Sequence, residues 1–578
     1  MSASTLRLTG AEALVRLLQA EQVQHAFGIV GGKLAPLLHA IARSDIRWTG
    51  VRHEAAAAMM AAAAFARSGR IAVALGEMGP GGLNLASGAG VAFNNHLAAL
   101  LITTNQHRAA AYPHSGMFMD MDTRAVLAPL TKWNAVVHDA RRLPELVRTA
   151  LRQALSGRPG PVHLDIPQDV LASVVDWPAA EFDIAPARYR PLHGPRPHAQ
   201  GLQHLAQHLL GARRPLLVAG GGVFAADAVA PLRELAARLQ APLVPTQMAL
   251  GAVASDSPHF VGHGGLIAGP ALRQAFEQAD VVLAVGCRFS SWIWDERGPL
   301  VRRGQTLLNI NIDAAALGHP ALHQVALVAD AREALVDLLA CMPGGPPQTD
   351  AQWLPRLRQM RAEDEARLQQ LADAPGVPMH PAALARATGR ALPRDALVVY
   401  DGGHTSFWSN DLTPVQEART RFHDPGMSQL GFGLPYAIAL KRLDPQRPVI
   451  NITGDGSFGF TLQELDTARR EGLPVVNIIH NNAAWGIIRA GQAKALDFEL
   501  GTSLAGTDYA AIARGFGGHG ETVHKADQLE GALARALGSG LPAVLDCHTR
   551  FEPHPAGPAF GSMNRFGFEA LVAGSSLP

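Results

Sequence analysis

The chain has 578 residues, a length that suits about three domains of ordinary size. Hydrophobic residues make up 48% and charged residues 17%, a composition typical of compact globular proteins and not of disordered ones. Fifty basic residues against 49 acidic ones leave no charge excess to favour nucleic acid or an anionic membrane surface.

The amino-terminal segment, MSASTLRLTGAEALVRLLQAE (1–21), predicts a capped amphipathic helix and lacks the apolar centre of a signal peptide. The apolar run at residues 55–65 is too short to cross a bilayer. Cys287, Cys341 and Cys547 lie far apart and without metal-ligand spacing, which fits a reducing compartment. The sequence therefore predicts a cytoplasmic protein that binds neither nucleic acid nor membranes.

Short β-branched segments alternate with longer segments of helical period along the whole chain, as they do in βαβ units. Segments that predict strands lie at residues 71–75, 99–104, 161–167, 215–222, 280–286, 396–403, 448–456 and 474–482. Two proline-rich passages, 184–200 and 342–355, predict linkers. The prediction is an α/β fold with three doubly wound parallel-sheet domains, at residues 1–183, 200–341 and 356–578.

One unit of this pattern, ITGDGSFGFTLQELDTARREGLPVVNIIHNNAAWG (452–486), carries an Asp and an Asn just after two predicted strands. Because parallel strands end at the same edge of a sheet, Asp455 and Asn482 are expected to be close in space. Their oxygens suit Mg²⁺ or Ca²⁺, with waters and phosphate oxygens completing the coordination. Gly456 and Ser457 then begin a helix, whose free amides favour a phosphate. In isolation these residues would also fit a turn and a capped strand, but together they predict a metal-bridged diphosphate site.

The GDGSFGF…NN pattern resembles the cofactor signature of thiamine-diphosphate enzymes. Over nearly its full length the chain looks like the superfamily of acetolactate synthase, benzoylformate decarboxylase and pyruvate oxidase. The resemblance implies pyrimidine-binding, central and diphosphate-binding domains, in that order. It also implies that Asp455, Asn482 and the carbonyl of Ala484 hold Mg²⁺, while Ser457 and the amide of Gly456 contact the diphosphate.

Three other segments resemble the family's pyrimidine side. In VRHEAAAAMM, Glu54 matches the Glu that stabilises the imino tautomer of the cofactor's aminopyrimidine; without the resemblance it would be only a favourable partner of a helix dipole. MGPGGLN resembles the loop that ends in Asn84 beside the pyrimidine. In MSQLGFGLP, Leu430 would bend the cofactor and the Ser428 carbonyl would accept from its amino group. Family members build each site between two chains, which implies at least a homodimer; a homotetramer is common.

The central segment LLVAGGGVFAADA (216–228) has a glycine-rich turn after a predicted strand, which alone is weak evidence for a nucleotide. In the family this domain binds FAD in some members, ADP in others and nothing in many. TQMALGA, GCRFSSW and NINIDAAALGH resemble flavin-binding acetolactate synthases in outline, yet Ser290 and Ser291 replace their Asp-Asp pair. Binding of FAD by the central domain therefore remains an alternative, with FAD as a structural group and not as a redox partner. The sequence favours a central domain without FAD.

The predicted substrate pocket departs from acetolactate synthases. Met119 follows Phe118 where those enzymes have Gln, and Met cannot hydrogen-bond a substrate carboxylate as Gln could. Gly491 replaces their Trp, and Val30 stands where some lyases and decarboxylases have His or Glu. The tail from residue 554 could cover the site or fray. Further candidates are His114 and His404 as catalytic groups, Gly403 and His404 beside the diphosphate, and Asp401, Trp485, Gln106 and His480 around the substrate.

The sequence thus predicts a Mg²⁺- and thiamine-diphosphate-dependent enzyme that cleaves or forms a C–C bond, as a 2-keto acid decarboxylase, lyase or carboligase. The family's chemistry implies a thiazolium ylide that attacks a 2-keto acid, acyloin or aldehyde, and an enamine that follows. One alternative is a 2-hydroxyacyl-CoA or oxalyl-CoA lyase, which needs basic residues for the CoA phosphates; another is acetolactate synthase itself. A non-catalytic flavin-binding or regulatory homologue is disfavoured because Glu54, Asp455 and Asn482 are all present.

Overall fold

The computed structural model describes residues 4–111, 114, 116–264, 268–290, 293–295, 298–302, 304–318, 321–343, 345, 347–496 and 498–555. The chain forms two compact units. The first contains residues 1–193, 426–446 and 461–473, and the second contains residues 194–425, 447–460 and 474–578. Across the described ranges, no helix combines the length and the apolar character needed to cross a membrane.

The amino-terminal part of the first unit alternates strands and helices. Its strands are β1 (Thr5–Thr9), β2 (His25–Gly28), β3 (Arg47–Gly50), β4 (Val73–Gly76), β5 (Leu100–Asn105), β6 (Trp133–Val136), β7 (Val162–Pro167) and β8 (Val174–Pro178). Its helices are α1 (Gly10–Ala20), α2 (Ala35–Ala42), α3 (Glu54–Ser68), α4 (Pro80–Asn94), α5 (Arg108–Ala111), α6 (Thr123–Leu127), α7 (Leu143–Leu155) and α8 (Gln168–Ala172). Six strands form one parallel sheet in the order β3-β2-β4-β5-β7-β6.

The predicted amino-terminal helix is confirmed at Gly10–Ala20 and begins with a capping box. The Thr9 hydroxyl accepts from the Glu12 amide, and the Glu12 carboxylate accepts from the Thr9 amide. The residues before it are a correction to the prediction, because Thr5–Thr9 is a strand that pairs antiparallel with β8. Its Leu residues alternate with polar ones, which is the period of a strand.

The first part of the second unit carries a parallel sheet with helices on both faces. Its strands are β9 (Pro215–Ala219), β10 (Leu243–Pro245), β11 (Val281–Val285), β12 (Trp294–Asp295), β13 (Gly298–Pro299), β14 (Thr306–Asn311) and β15 (Val325–Val328). Its helices are α9 (Ala199–Leu210), α10 (Gly222–Ala225), α11 (Val229–Leu239), α12 (Pro270–Gln278), α13 (Ala331–Cys341) and α14 (Trp353–Ala372). Five strands pair in the order β10-β9-β11-β14-β15. Neighbouring residues of β11 pack into separate hydrophobic cores on the two faces of the sheet. Leu283 packs with α9, α11 and α13, and Val282 packs with α12 and α14.

The carboxyl-terminal third carries the third parallel sheet. Its strands are β16 (Leu397–Tyr400), β17 (Arg421–His423), β18 (Val449–Gly454), β19 (Val476–Asn481), β20 (His519–Val523) and β21 (Ala543–His548). Its helices are α15 (Pro381–Ala391), α16 (His404–Leu412), α17 (Gly433–Leu443), α18 (Asp455–Phe458), α19 (Glu464–Arg470), α20 (Gly486–Leu496), α21 (Tyr509–Gly515) and α22 (Leu529–Gly538). The strand order is β17-β16-β18-β19-β21-β20, all parallel.

The predicted fold class is confirmed: the chain holds three α/β domains with parallel sheets, and each of the eight predicted segments contains a strand. The places where the domains begin and end stay predictions. Helices α17 and α19 lie inside the predicted third domain in sequence, yet both belong to the first compact unit. There α17 packs against α3, the alanine-rich helix that begins at Glu54.

Candidate active site

The two predicted metal residues of the second unit lie at one edge of its sheet. Strands β18 and β19 are parallel neighbours with Gly454 opposite His480, so the chain leaves both strands at the same level. The Asn482 amide donates to Asp455 Oδ2 at 3.2 Å, and Asn482 Oδ1 accepts from the Ala484 amide at 3.1 Å. The structure thus brings together the Asp, the Asn and the Ala that the sequence selected for the metal.

The surroundings of Asp455 suit a cation. The side chain is 3% exposed, and burial raises its pKa to about 6 although backbone amides that donate to it act in the opposite direction. A bound divalent cation would favour the ionised carboxylate and offset the cost of burying it. One carboxylate, one amide oxygen and one carbonyl oxygen fit Mg²⁺, with diphosphate oxygens and waters completing six ligands. Within the described ranges, no group of three or more His, Cys, Asp or Glu residues could hold a metal ion.

The turn after Asp455 is tightly packed. A Cβ on Gly456 would lie 2.4 Å from the Trp485 ring, so only glycine lets the indole cover this turn. The Ser457 hydroxyl donates to Asp401 Oδ1 at 2.5 Å, and Asp401 is 1% exposed. Asp401, predicted as a pocket residue, therefore orients Ser457, and the half-buried Trp485 lies over the turn that is predicted to bind the diphosphate. Tyr509, which the sequence did not single out, donates its hydroxyl to the Asp455 carbonyl at 3.0 Å.

His404 borders the same site as the first residue of α16, directly after Gly403. A Cβ on Gly486 would lie 3.6 Å from His404 Nδ1 and 3.5 Å from Asn482 Nδ2, so both side chains flank Gly486. Burial, together with nearby His554, lowers the pKa of His404 to about 4. Its Nε2 is buried and has no hydrogen-bond partner among the residues that the structure describes. A neutral imidazole with one free ring nitrogen is thus available beside the predicted metal ligands.

The first unit brings together Glu54 and Asn84, the two residues predicted for the pyrimidine. Glu54 begins α3 after the N-cap residue His53 and is 7% exposed. Asn84 lies on α4, and its Nδ2 donates to Glu54 Oε2 at 2.9 Å. Gly88 lets helices α3 and α4 approach closely, since a Cβ at this position would lie only 2.3 Å from the Ala55 carbonyl oxygen. Close packing of two helices therefore sets the position of the Glu54 carboxyl group.

A second buried carboxylate, Glu464 on α19, holds the residues that precede Glu54. Its oxygens accept from the Arg52 amide at 3.0 and 3.2 Å, and from the Thr467 hydroxyl at 2.6 Å. Glu464 is fully buried, and burial raises its pKa to about 7 against the effect of these donors. No sequence pattern indicates this role, because Arg52 and Glu464 are 412 positions apart. Glu464 is thus a positioning residue for the start of α3.

We expect the substitution Glu464→Gln to change how stability depends on pH. The folded-state pKa of about 7 lies above the ordinary value of 4.5, so folding favours the protonated carboxyl group. Its stabilising effect is complete below pH 4.5 and is lost as the pH rises through 7, by at most roughly 3 kcal/mol. Denaturant unfolding at pH 5, 6, 7 and 8 should show the variant gaining stability relative to the wild type as the pH rises.

Glu12→Gln is the matched control for that series. Glu12 caps α1 in the same unit, and the Thr9 amide lowers the pKa of Glu12 below 4.5. Glu12 is therefore ionised in both folded and unfolded chains above pH 5, and the loss caused by its substitution should stay constant. A Glu464→Gln series that is equally flat would contradict the assignment.

The other predicted pocket residues occupy loops, one helix and one strand. In the first unit, Val30 is 68% and Phe118 80% exposed, and Met119 adopts a positive φ of 61°. His114 pairs through Nδ1 with Asp120, and Gln106 donates to the Phe118 carbonyl at 2.7 Å.

The remaining predicted residues lie in both units. Ser428, with φ 54°, and half-buried Leu430 lie in the first unit. In the second unit, Gly491 lies on α20, and among the described residues no atom lies within 4 Å of a Cβ built there; His480 is buried in β19.

The glycine-rich turn of the central sheet packs against its neighbouring strand. The Gly220 amide donates to the Val285 carbonyl at 2.9 Å, and the Gly222 amide donates to the Gly286 carbonyl at 3.1 Å. A Cβ on Gly222 would lie 2.7 Å from the Gly286 Cα, so these glycines serve close backbone contact. Ser290 lies beyond β11, whereas Ser291 and the tail after residue 555 lie outside the described residues.

Comparison with known proteins places these features in a family. Models of the thiamine pyrophosphate enzymes, which use the cofactor also named thiamine diphosphate, match three stretches of the chain. The N-terminal TPP binding domain matches residues 8–126, the central domain matches 202–338, and the C-terminal TPP binding domain matches 401–547. The C-terminal match contains Asp401, Asp455 and Asn482, and the N-terminal match contains Glu54 and Asn84.

Relatives of known description cover nearly the whole chain. A probable 2-ketoarginine decarboxylase, AruI of Pseudomonas aeruginosa, is 36% identical over 545 residues, which are 93% of each chain. The large subunit of acetolactate synthase isozyme 2 from Escherichia coli is 29% identical, over 93% of this chain and 95% of its own. Pyruvate oxidase of Lactiplantibacillus plantarum is 30% identical, over 93% and 88%. The resemblance drawn from the GDGSFGF…NN pattern is confirmed, and the chain belongs to the thiamine pyrophosphate enzyme family.

Proposed function

We propose that the protein is a Mg²⁺- and thiamine-diphosphate-dependent decarboxylase of 2-keto acids. The observation that carries the proposal is the juxtaposition of Asp455 and Asn482 at the ends of two parallel strands. Asp455, Asn482 and the carbonyl of Ala484 hold Mg²⁺ in this proposal, and the turn at Gly456 and Ser457 takes the diphosphate. When bound, thiamine diphosphate supplies a nucleophilic carbon. It also supplies an electron sink for the bonding pair that stays behind when CO₂ departs.

The proposal assigns the pyrimidine side of the cofactor to residues of the first unit. Glu54, oriented by Asn84, holds a proton at the pyrimidine ring of the cofactor. Leu430 supports the bent shape of the cofactor and the Ser428 carbonyl accepts from its amino group. By analogy with the family, Glu54 of one subunit serves the cofactor of another, so the active form is at least a homodimer. His404, neutral at physiological pH, is the proposed acid–base group on the substrate side.

The choice of decarboxylation is supported by two of the predicted pocket residues and by one relative. Gly491 leaves open space on α20, and Met119 offers no hydrogen bond to an acceptor substrate. The relative that is 36% identical is described as acting on 2-ketoarginine, which is itself a 2-keto acid. Acetolactate synthesis is the second candidate, favoured by the relative from Escherichia coli. Both reactions release CO₂ and differ in what captures the remaining fragment.

We expect the purified protein to release CO₂ and an aldehyde in equal amounts from a 2-keto acid when thiamine diphosphate and Mg²⁺ are present. A panel of 2-keto acids, with CO₂ and aldehyde measured separately, checks this expectation. CO₂ without aldehyde would indicate carboligation and favour the second candidate. Aldehyde without CO₂ would indicate a lyase, and turnover without added or bound thiamine diphosphate would contradict the cofactor assignment.

A further inference from the structure

Strand β4 is followed by a carboxylate that the family resemblance did not select. Glu77 is half-buried. Its Oε1 accepts from the Thr104 hydroxyl at 2.9 Å and from the Met78 amide at 3.2 Å. Its Oε2 accepts from the amides of Lys33 at 3.0 Å and Leu34 at 3.4 Å. Because each of these contacts among the described residues comes from a donor, together they hold the carboxylate group in one orientation.

Glu77 lies between the predicted pocket and the predicted catalytic carboxyl group. A Cβ on Gly31 would lie 1.8 Å from Glu77 Oε2, so the carboxylate rests on the loop that carries Val30. A Cβ on Gly81 would lie 3.1 Å from Glu54 Oε1 and 3.2 Å from Glu77 Cβ, so the two Glu side chains flank Gly81. The side chains of Glu77 and Glu54 are thus near neighbours on either side of Gly81.

The negative charge of Glu77 is not neutralised by the groups that bind it. Three of its four donors are backbone amides and the fourth is a hydroxyl. The ammonium group of Lys33, whose amide binds Glu77, turns to Gln168 Oε1 at 2.7 Å. Asp120, in the loop that carries Met119, is by contrast paired with His114.

A partly exposed fixed charge beside an apolar pocket selects ligands by charge. The predicted pocket residues nearby, Val30, Phe118 and Met119, have no polar group in their side chains. A cationic group that enters there gains attraction from Glu77, and an anionic group is repelled. The donors already occupy the lone pairs of the Glu77 carboxylate, so a substrate cation would be recognised by its charge and not through a bidentate hydrogen bond. Guanidinium and ammonium groups are therefore both suitable substrate groups.

We propose that Glu77 is a specificity-determining residue that selects 2-keto acids whose side chain ends in a cation. The inference rests on the proposed function, since it names the substrate class for that site. The alternative is that Glu77 only holds the loop at residues 31–34 in place, and the two roles predict different results. Loss of support would slow the reaction of every substrate, whereas loss of charge affects only cationic ones.

The test compares the wild type and Glu77→Gln on two substrates, 5-guanidino-2-oxopentanoate and the shorter, neutral 2-oxohexanoate. We expect the wild type to prefer the guanidino acid, with a preference that weakens as salt is added. In Glu77→Gln, kcat/KM for the guanidino acid should fall about 10- to 100-fold, mainly through KM. For 2-oxohexanoate it should change less than about threefold. Thr104→Val, which removes one hydrogen bond to Glu77 but keeps the charge, should retain the wild-type preference.

The outcomes separate this inference from the proposed function. Equal losses for both substrates in Glu77→Gln would overturn the inference and leave Glu77 a support of the loop. A wild type that decarboxylates neutral 2-keto acids without preferring the cationic one would also overturn it, with the proposed function intact. A wild type that turns over no 2-keto acid would overturn the proposed function, and the inference falls with it.

Discussion

Asp455→Asn is expected to abolish turnover and to weaken Mg²⁺-dependent binding of thiamine diphosphate at least about 100-fold. The substitution keeps the shape of the side chain but removes the only negative charge that the proposed metal ligands supply. Binding can be followed without turnover, by calorimetric titration of thiamine diphosphate at fixed Mg²⁺. Since an unpaired buried carboxylate destabilises a folded chain, the cofactor-free variant should unfold at a temperature no lower than that of the wild type.

Asp508→Asn is the matched control, because it makes the same chemical change in the same compact unit. Asp508 is the N-cap residue of α21 and accepts from the Ala511 amide at 2.7 Å. Asn caps a helix about as well as Asp, so stability and cofactor affinity should both stay close to those of the wild type. If Asp455→Asn binds Mg²⁺ and thiamine diphosphate like this control, Asp455 is not a metal ligand.

The sheets were predictable because the strands of parallel sheets are buried on both faces. Segments such as PVINIT and PVVNIIH are therefore largely apolar, with turn residues at their ends. The neighbouring positions of Asp455 and Asn482 followed from the same rule, since a helical connection joins two adjacent parallel strands. Strand β1 was not predicted because its partner is distant in the sequence: Thr5–Thr9 pairs with β8, at Val174–Pro178.

The residues that support the site were not predictable in the same way. Glu464 lies on a helix whose pattern of charged and apolar residues shows no functional signal, and its partner Arg52 is 412 positions away. Glu77 follows a strand, as Asp455 does, but its meaning depends on contacts with a loop 44 positions earlier. Asp401 was selected for the pocket, and only the packed structure places its carboxylate on Ser457. Local periodicity carries no information about such distant pairings.

Glu54→Gln is expected to lower kcat by about 10²- to 10⁴-fold, the usual contribution of a positioned proton-transfer group. Gln keeps an oxygen that can accept from Asn84 Nδ2, so α3 and α4 should keep their packing. A side-chain amide cannot exchange a proton with the pyrimidine ring, however, and that exchange is the role proposed for Glu54. Steady-state kinetics, together with calorimetric binding of thiamine diphosphate, should show a large loss in kcat and a much smaller loss in affinity.

Glu12→Gln separates this loss from a general effect of removing a carboxylate from a first helical turn. Glu12 occupies the first turn of α1, as Glu54 does in α3, and Gln at this position keeps an oxygen that can accept from the Thr9 amide. The control removes only the negative charge at the start of the helix, so it should lose about 0.3 to 1 kcal/mol of stability while kcat stays at the wild-type value. Glu54 lies beside a second carboxylate, Glu77, across Gly81, so a charge effect on substrate binding would appear in KM. A Glu54→Gln variant with normal kcat and raised KM would assign Glu54 to the pocket, and the proposed proton exchange at the pyrimidine would be wrong.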